Sequence, residues 1–546
     1  MERLSGLDAS FLYLESRTQL MNVCGIIELD PSTVAGGYRF EALRDELARR
    51  VTAMPAFRRK LYETVVNVDH PVWVEDTEFD IEAHVHRVAL PAPGGEKELA
   101  DLCAHVAGLP LDRARPLWEM WVIEGLAVPG ERSDGESSTG ERSDGETGTG
   151  ERSDGETGTG ERSDGESETG RIGVMIRMHH AGVDGVTGAG LLAQLCSLTP
   201  EPPDLDEALV EKSTGSAPVL ELAAEGVANV LKRPLSLVSL VPRTAAVPLR
   251  WIARSRRGEA MPAPFSAPRT PFNGTVGPHR AIAFDQIPLA DVKRIKEHFA
   301  VKVNDVVLAA CSGALREFLA GQDALPDQPL VAMIPVSVHG AEVDDSLVQG
   351  TNKVTGMFTR LATDVADPQG RLEAVRRRAA TAKEHHGEID ANILRSWAQF
   401  APAMLMSAAA KVYGERNLAE LHPVLYNLVV SNVPGPDFPL YFLGAQIKSM
   451  YPLGPVFHGT GLNITVFSAD GQLNVGVIAD KKQVPDPWPL VRAFRREIDA
   501  LLTAIPEQPL EQRAHDEVEA DETADGDGAD VADTASAQHA GGSDDH

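Results

Sequence analysis

The sequence predicts an α+β protein of two α/β halves, each a mixed sheet with flanking helices, joined by a crossover linker. Three observations lead there. Strand-like and helix-like hydrophobic periods alternate through residues 1–210 and again through 276–505. Residues 211–275 between them carry an interrupted apolar stretch that ends in the Pro-rich run APFSAPRTPFNG. At 546 residues and 43% hydrophobic content, the chain is also long enough for two or three domains with substantial cores.

The elements follow in order. LDASFLYLESRTQLMNVCGIIELDP reads as a helix start running into a strand that ends near Asp30, and Leu43, Leu47 and Val51 recur at helical spacing in a helix over Phe40 to Thr52. HPVWVEDTEFDIEAHVHRVALP is extended; His84 and His86, two apart on a strand, point the same way, but with no third ligand nearby they read as surface histidines rather than a metal site. A helix from about Lys97 to Ala107 and the strand of LDRARPLWEMWVIEGL come next.

From Gly130 the decapeptide GERSDGESST recurs in four copies with small variations and no large apolar residue. Such a segment cannot bury enough surface to offset the entropy of ordering it, so disorder is expected over 130–170. It separates WEMWVIEGLAV from RIGVMIRMHH, two strands that pair as a hairpin if the insertion sits at the tip, where extra length is tolerated.

In RIGVMIRMHH, alternation puts Ile172, Val174, Ile176, Met178 and His180 on one face and Gly173, Met175, Arg177 and His179 on the other. The motif HHAGVDG then leaves the strand through a Gly-rich turn into a helix with Leu191, Leu192 and Leu195. A Pro- and acid-rich loop spans Pro200 to Asp206. From Ala217 to Arg257, arginines and lysines interleave with leucines, valines and Trp251, which suits either a basic element on a lipid surface or a connector packed on its own domain.

The second half opens with the strand HRAIAFDQIPL and a helix from Ala290 to Ala300. In KVNDVVLAACSGALREFL, Asn304 caps a helix whose positions Val307, Ala310, Cys311, Ala314, Leu315 and Phe318 form one apolar stripe. LVAMIPVSV, YNLVVSNVPG and the hairpin GLNITVFSADGQLNVGVIAD, turning at Asp470-Gly471, supply a second sheet. A last helix runs from about Leu490 to Ala504, and residues 506–546 form an acidic tail without a core, expected to be disordered.

The formal charge of −29 sits mostly in appendages. Thirteen acidic against four basic residues fall in 130–170, and thirteen against one from Glu507 onward, so the rest carries only −8. That balance gives no support to nucleic-acid binding. Cys24, Cys103, Cys196 and Cys311 lie in apolar surroundings without C-x-x-C spacing, as reduced core thiols of a cytoplasmic protein do. No signal peptide and no run of about 18 apolar residues is seen.

Two similar halves joined by a crossover, with HHAGVDG leaving a strand in the first, resemble the superfamily of CoA-dependent acyltransferases that includes chloramphenicol acetyltransferase and peptide-synthetase condensation domains. Within it, four segments look like the bacterial wax ester synthase/diacylglycerol acyltransferase family. They are PLWEMWVIEGL (Pro116, Leu117, Trp118), VNDVVLAACSGALREFL (Asn304, Asp305), GTNKVTGMF and SNVPGP (Ser431 to Pro436). The resemblance runs in order from Leu7 to about Thr503; the departure is the decapeptide insertion, where the family has a short loop.

The resemblance implies two chloramphenicol acetyltransferase-like domains with the active site at their interface. It implies acyl-CoA as a substrate, no cofactor or metal, and a diacylglycerol or long-chain alcohol as acceptor, yielding triacylglycerol or wax ester. Such transfer needs a base for the hydroxyl proton and a donor for the developing oxyanion, and histidine suits the first role. The family's base is the second histidine of the motif, here His180, with His179 in support. Asp184, four residues beyond His180, suits either orienting the imidazole or holding the loop through an arginine, and the resemblance to the superfamily favours the second, structural role, while Gly185 permits the tight turn. Asn304 and Asp305 read by themselves as capping residues, and the resemblance turns that polar helix end toward the cleft. Pro116, Leu117 and Trp118 carry no ionisable group and shape the fold or the acyl channel. No G-x-S-x-G elbow is present and no cysteine neighbours a histidine, so direct transfer without an acyl-enzyme is expected. The rival readings are an acyltransferase that takes its acyl group from a carrier protein and a lipid-binding protein without turnover. The expected compartment is the cytoplasm, with peripheral contact at the inner membrane or lipid inclusions left open by residues 217–257.

Overall fold

The computed structural model of the chain describes residues 2–62, 70–127, 170–182, 195–201, 247–337, 354–388 and 403–506. The repeat insertion up to residue 169, the linker before residue 247, the Gly-rich turn and helix start at 183–194, and the tail from 507 lie outside the described residues.

In chain order the first part comprises β1 (Glu2–Arg3), α1 (Gly6–Leu14), β2 (Asn22–Asp30), α2 (Phe40–Ala53), β3 (Arg59–Tyr62), β4 (Val72–Glu75), β5 (Val85–Ala89), α3 (Glu96–Ala107), β6 (Trp118–Leu126), β7 (Arg171–His179) and β8 (Cys196–Ser197). After the linker helix α4 (Val247–Arg256) come β9 (Arg280–Pro288), α5 (Leu289–His298), α6 (Val303–Ala320), β10 (Val331–Ser337), β11 (Val354–Arg360), α7 (Pro368–Glu388), α8 (Ala403–Glu415), β12 (Leu428–Pro434), β13 (Tyr441–Phe442), β14 (Ala445–Leu453), β15 (Leu462–Ala469), β16 (Gln472–Asp480) and α9 (Trp488–Thr503).

Two mixed sheets organise these elements. The first has the order β5-β6-β7-β2-β14-β13-β8 and the second β11-β10-β12-β15-β16-β9, with a small sheet β1-β4-β3 beside them. β6 and β7 pair antiparallel from Trp118 with Met178 to Leu126 with Arg171, the hairpin expected to bracket the insertion. The Asp470-Gly471 turn joins β15 to β16 with positive φ at both residues, 46° and 68°, the conformation that suits the twist of a two-residue hairpin.

The division of the chain near residue 276 does not divide the sheets. β14 comes from the second half of the sequence, yet it pairs antiparallel with β2 over Gln446 to Leu453 and sits inside the first sheet. Its Tyr451 ring stacks on Phe284 of β9 at 4.4 Å, so one strand belongs to the first sheet and packs against the second.

The first sheet is covered on both faces. Leu43, Leu47 and Val51 of α2 pack with Ile27, Met120 and Val174, whereas Leu99 and Cys103 of α3 pack with Cys24, Ile26 and Met175. In the second half α6 packs against α7 and α9. The single apolar stripe expected for α6 is too narrow. Val306, Leu308, Ala309, Ser312 and Gly313 are buried as well, because the helix is enclosed between the sheet and two further helices. A Cβ at Gly313 would collide with the buried Arg371–Glu497 ion pair.

Two local expectations are corrected. Lys302, not Asn304, is the N-cap of α6; Asn304 lies inside the first turn, and the carboxylate of Asp305 reaches back to accept the Lys302 N–H at 3.0 Å. His84 is not a surface residue: it precedes β5, is 2% exposed, and its Nδ1 lies 2.8 Å from the Trp118 carbonyl oxygen while its ring stacks on that indole at 4.7 Å. Burial lowers its pKa from the ordinary value. In the linker, Trp251 of α4 packs against the second core and its indole N–H donates to the Met261 carbonyl at 3.0 Å, so this end of the basic stretch is held by its own domain.

Candidate active site

β7 lies between β6 and β2, and its end is pinned on both sides. The His179 N–H donates to the Leu117 carbonyl at 2.9 Å and the His180 N–H to the Met21 carbonyl at 2.7 Å. Because alternate residues of a strand point to opposite faces, these adjacent histidines diverge.

His179 turns to the α3 face and is 1% exposed. Its Nδ1 accepts the Ala181 N–H at 3.0 Å, which requires the Nε2–H tautomer, and Nε2 stands 3.5 Å from the Glu15 carboxylate. Burial acts to raise the Glu15 pKa, but His179 and the Arg113 guanidinium, 2.7 Å away, hold it at about 2. Arg177 shares this face, donating to Glu119 at 2.6 Å and to the carbonyls of Val106 and Leu109. Burial pushes Glu119 up, and its bonds to His86 and Arg177 bring it down to about 2.

His180 turns the other way. Its ring stacks on Phe11 of α1 at 4.1 Å with an interplanar angle of 12°, and it forms part of the wall of a cavity of about 630 Å³. The cavity lies between the two halves. Val23 and Ile27 of β2, Ile176 and Met178 of β7 and Leu47 of α2 face residues of β10, β11, β12 and β15, and the lining is overwhelmingly apolar. That volume is in the range of small-molecule sites, and a histidine ring in an apolar wall is a common active-site arrangement; the Tyr426 phenol also lines the cavity, and burial pushes it up to about 12.

The other residues singled out in the sequence fall around this cavity at different distances. Trp118 is in its wall, fixed by an indole hydrogen bond of 2.8 Å to the Phe57 carbonyl. Leu117 is buried beside α1, and Pro116 bridges to Lys60. Asn304 is not in the wall; its Oδ1 accepts from Nδ2 of Asn432, which is, at 3.4 Å. Asp305 is buried and occupied in capping. Asp184 and Gly185 lie outside the described residues.

Sequence reasoning missed Phe11, Glu15 and Gly25 and the cavity wall formed by Met450 and Pro452 of β14. Phe11 had a signal, since Leu7 and Phe11 are one helical turn apart on α1 and both line the cavity. Cys24 touches the cavity, but burial pushes its thiol up to about 11, and those of Cys196 and Cys311 to about 12, so these thiols stay protonated and poorly nucleophilic. Among the described residues no three His, Cys, Asp or Glu side chains come together as metal ligands.

The chain matches two family profiles. That of the wax ester synthase/diacylglycerol acyltransferase catalytic domain covers residues 4–130 and 164–307, and that of the WS/DGAT C-terminal domain covers 350–502. The gap in the first match falls on the decapeptide repeats. A candidate diacylglycerol O-acyltransferase of Mycobacterium tuberculosis is 44% identical over 509 residues, covering 93% of this chain and 92% of the relative. Another from the same organism is 32% identical over 513 residues, covering 92% and 98%. Among solved structures, a wax ester synthase/diacylglycerol acyltransferase from Marinobacter aquaeolei VT8 superposes with a TM-score of 0.60 at 24% identity, over 92% of this chain and 98% of that one. TRI3 trichothecene 15-O-acetyltransferase from Fusarium sporotrichioides superposes with a TM-score of 0.52 at 11% identity, over 92% and 94%; these two likenesses establish the shared fold.

Proposed function

The chain belongs to the wax ester synthase/diacylglycerol acyltransferase family, and on that premise we propose that it transfers the acyl group of acyl-CoA to the hydroxyl of diacylglycerol, and of long-chain alcohols, with His180 as the general base. The observation that carries the residue assignment is the position of the His180 ring in the wall of an apolar cavity shared by the two halves.

In this reading His180 takes the proton of the acceptor hydroxyl while the oxygen attacks the thioester carbonyl. The tetrahedral intermediate collapses with loss of CoA thiolate, which recovers the proton from the imidazolium. The apolar walls exclude water that would otherwise hydrolyse the thioester, and an ester of two long chains suits the same lining. Phe11, stacked face to face on the ring, fixes its plane. Asn304 acts through Asn432, whose amide it orients at the cavity wall, as support for the oxyanion. Asp184 and Gly185 lie outside the described residues, and for them we propose the supporting role that the family resemblance implies; His179 anchors the strand end from the opposite face. With the nearby Cys24 thiol protonated, transfer is direct rather than through an acyl-enzyme.

The acceptor is a lipid, and the protein takes it at the surface of a bilayer or lipid inclusion. The contact proposed is peripheral; among the described residues no single helix is long and apolar enough to cross a membrane.

The test is an assay of the purified full chain with radiolabelled palmitoyl-CoA, offering dioleoylglycerol and hexadecanol side by side and resolving the neutral lipids. Labelled triacylglycerol or wax ester is the expected result. A folded protein that binds the thioester but forms neither ester overturns the proposal and turns attention to a carrier-bound donor or a non-catalytic lipid binder.

A further inference from the structure

Gly25 is an anomaly in β2. It lies inside a strand paired on both sides, opposite Ile176 of β7 and Pro452 of β14, where a glycine weakens a sheet and where two reasons ordinarily explain one. The first is a backbone conformation closed to other residues, and Gly25 is not at positive φ. The second is close approach of other protein atoms, and a Cβ built on Gly25 meets no atom of the described residues within 4 Å. Neither reason holds at this position.

What the missing side chain leaves is space, and the alternation of the strands says where. Val23, Gly25 and Ile27 share a face of β2, and the residues directly opposite, Ile176 and Pro452, line the cavity as Gly25 does. On one side along this face, past Met178, lies His180; on the other the cavity continues to Ile27 and to Leu47 and Val51 under α2. Gly25 thus stands between the reacting end of the cavity and its far apolar end under α2. From Ile176, its partner, to His180 is four residues of strand, roughly 13 Å, which is the reach of about ten methylenes in an extended chain.

We propose that Gly25 is a specificity-determining residue: the space above its Cα is the passage by which the alkyl chain of one substrate runs from His180 into the pocket under α2, so that the absence of a side chain there admits long chains. The inference rests on the acyl-CoA to alcohol transfer proposed above for this cavity. The same alkyl chemistry is present in the donor and in the acceptor, and the experiment separates them.

Gly25→Val and Gly25→Leu are compared with the wild-type full chain in two series. One varies acyl-CoA from octanoyl to octadecanoyl with a fixed acceptor; the other varies the alcohol over the same lengths with palmitoyl-CoA. The expected result is a fall of at least tenfold in the ratio of kcat/KM for hexadecyl over octyl chains, graded from Val to Leu, in one series and not the other. The series that responds identifies the substrate whose chain passes Gly25. A uniform loss at all lengths, or an unchanged length profile in both series, overturns the proposal while leaving ester formation by the wild type intact. Thermal melting gives an independent reading. A β-branched residue entering empty space on a strand keeps or raises the melting temperature, and a marked drop for Gly25→Val shows the space to be filled. If the wild type forms no ester, the transfer reaction fails on its own, and equilibrium binding of decanol and hexadecanol decides the passage: hexadecanol binding lost selectively in Gly25→Leu supports it, and equal loss or no loss of both overturns it.

Discussion

The two faces of the first sheet are built from the same strands and do opposite work. Toward α3, Cys24, Ile26, Met175, Arg177 and His179 pack into a filled layer in which the polar side chains have partners: Arg177 with Glu119, and His179 with the Ala181 N–H and Glu15. Toward α2, Val23, Gly25, Ile176, Met178 and His180 stand around open volume, and the only titratable side chain among these five belongs to His180. A shift of one residue in β7 would exchange its own members of the two sets, Met175, Arg177 and His179 for Ile176, Met178 and His180. Chemical character therefore does not sort His179 from His180; the pleat does, and the neighbours recruited by each face then fix what each imidazole can do.

Breaking the comparison on the open side should have the largest effect. His180→Ala is expected to lower kcat/KM for ester formation by about 10²–10⁴, the range for loss of a general base, with the melting temperature close to wild type because its ring borders a cavity rather than a packed layer. Turnover near the wild-type rate in the folded variant removes His180 from the mechanism. On the filled side the order of effects reverses. Arg177→Ala takes the guanidinium from Glu119 and a donor from the carbonyls of Val106 and Leu109, and is expected to cost about 3–5 kcal/mol in urea denaturation, with any residual activity following the folded fraction. A variant of unchanged stability would mean that this layer is not held by its charges.

Part of this arrangement was legible in the sequence and part was not, for a physical reason. Strand alternation in RIGVMIRMHH separates His179 from His180 correctly, since side-chain direction in a strand depends only on neighbours along the chain. The β6–β7 hairpin across the repeats was legible for a similar reason, two alternating strands adjacent in the chain apart from the insertion. β14 was not, because its pairing with β2 joins residues about four hundred apart and nothing local in AQIKSMYPL names that partner. His84 fails likewise: its spacing from His86 suggests a shared face, but its burial is set by the Trp118 carbonyl thirty-four residues away. Asn304 reads as a cap because the residue type favours that role; the helix begins two residues earlier, with Lys302 as its N-cap, and Asp305 takes the reciprocal bond instead. Gly25 and Phe11 are plainly readable letters whose meaning appears only once the cavity is assembled from both halves.

The filled side also carries a pH dependence. The Glu15 carboxyl is held at about 2, below the ordinary value near 4.3, so the folded state favours the carboxylate. A depressed folded pKa contributes stability that is fully present above the unfolded value and is lost as pH falls through the folded one. The window is therefore roughly pH 5 down to 2, and the contribution is on the order of 3 kcal/mol for a shift of this size. Denaturant titrations of wild type and Glu15→Gln across that window are expected to converge at the acid end and to separate above pH 5. Parallel curves would mean that His179 and Arg113 do not stabilise the charged carboxylate.

The smallest effects are expected at the start of α6, where two adjacent polar residues answer to different structures. Asp305 accepts the Lys302 N–H at 3.0 Å and is buried, so Asp305→Ala removes a helix-end bond and should cost about 1 kcal/mol of stability, with kcat following only the folded fraction. Asn304 makes no helix-end bond; it accepts from Asn432, the amide in the cavity wall. Asn304→Ala frees that amide to rotate, so stability should stay within about 0.5 kcal/mol of wild type. Its kcat should fall by about tenfold with KM little changed, since a donor aimed at developing charge matters only in the transition state. Asn304→Asp keeps the accepting oxygen and should recover part of that loss, whereas Asn304→Leu, of similar bulk without the acceptor, should not, which a purely steric role would not predict. If the two variants lose stability and kcat together, the polar end of α6 is a structural cap throughout, and the open face of the sheet keeps His180 as its one chemically committed side chain.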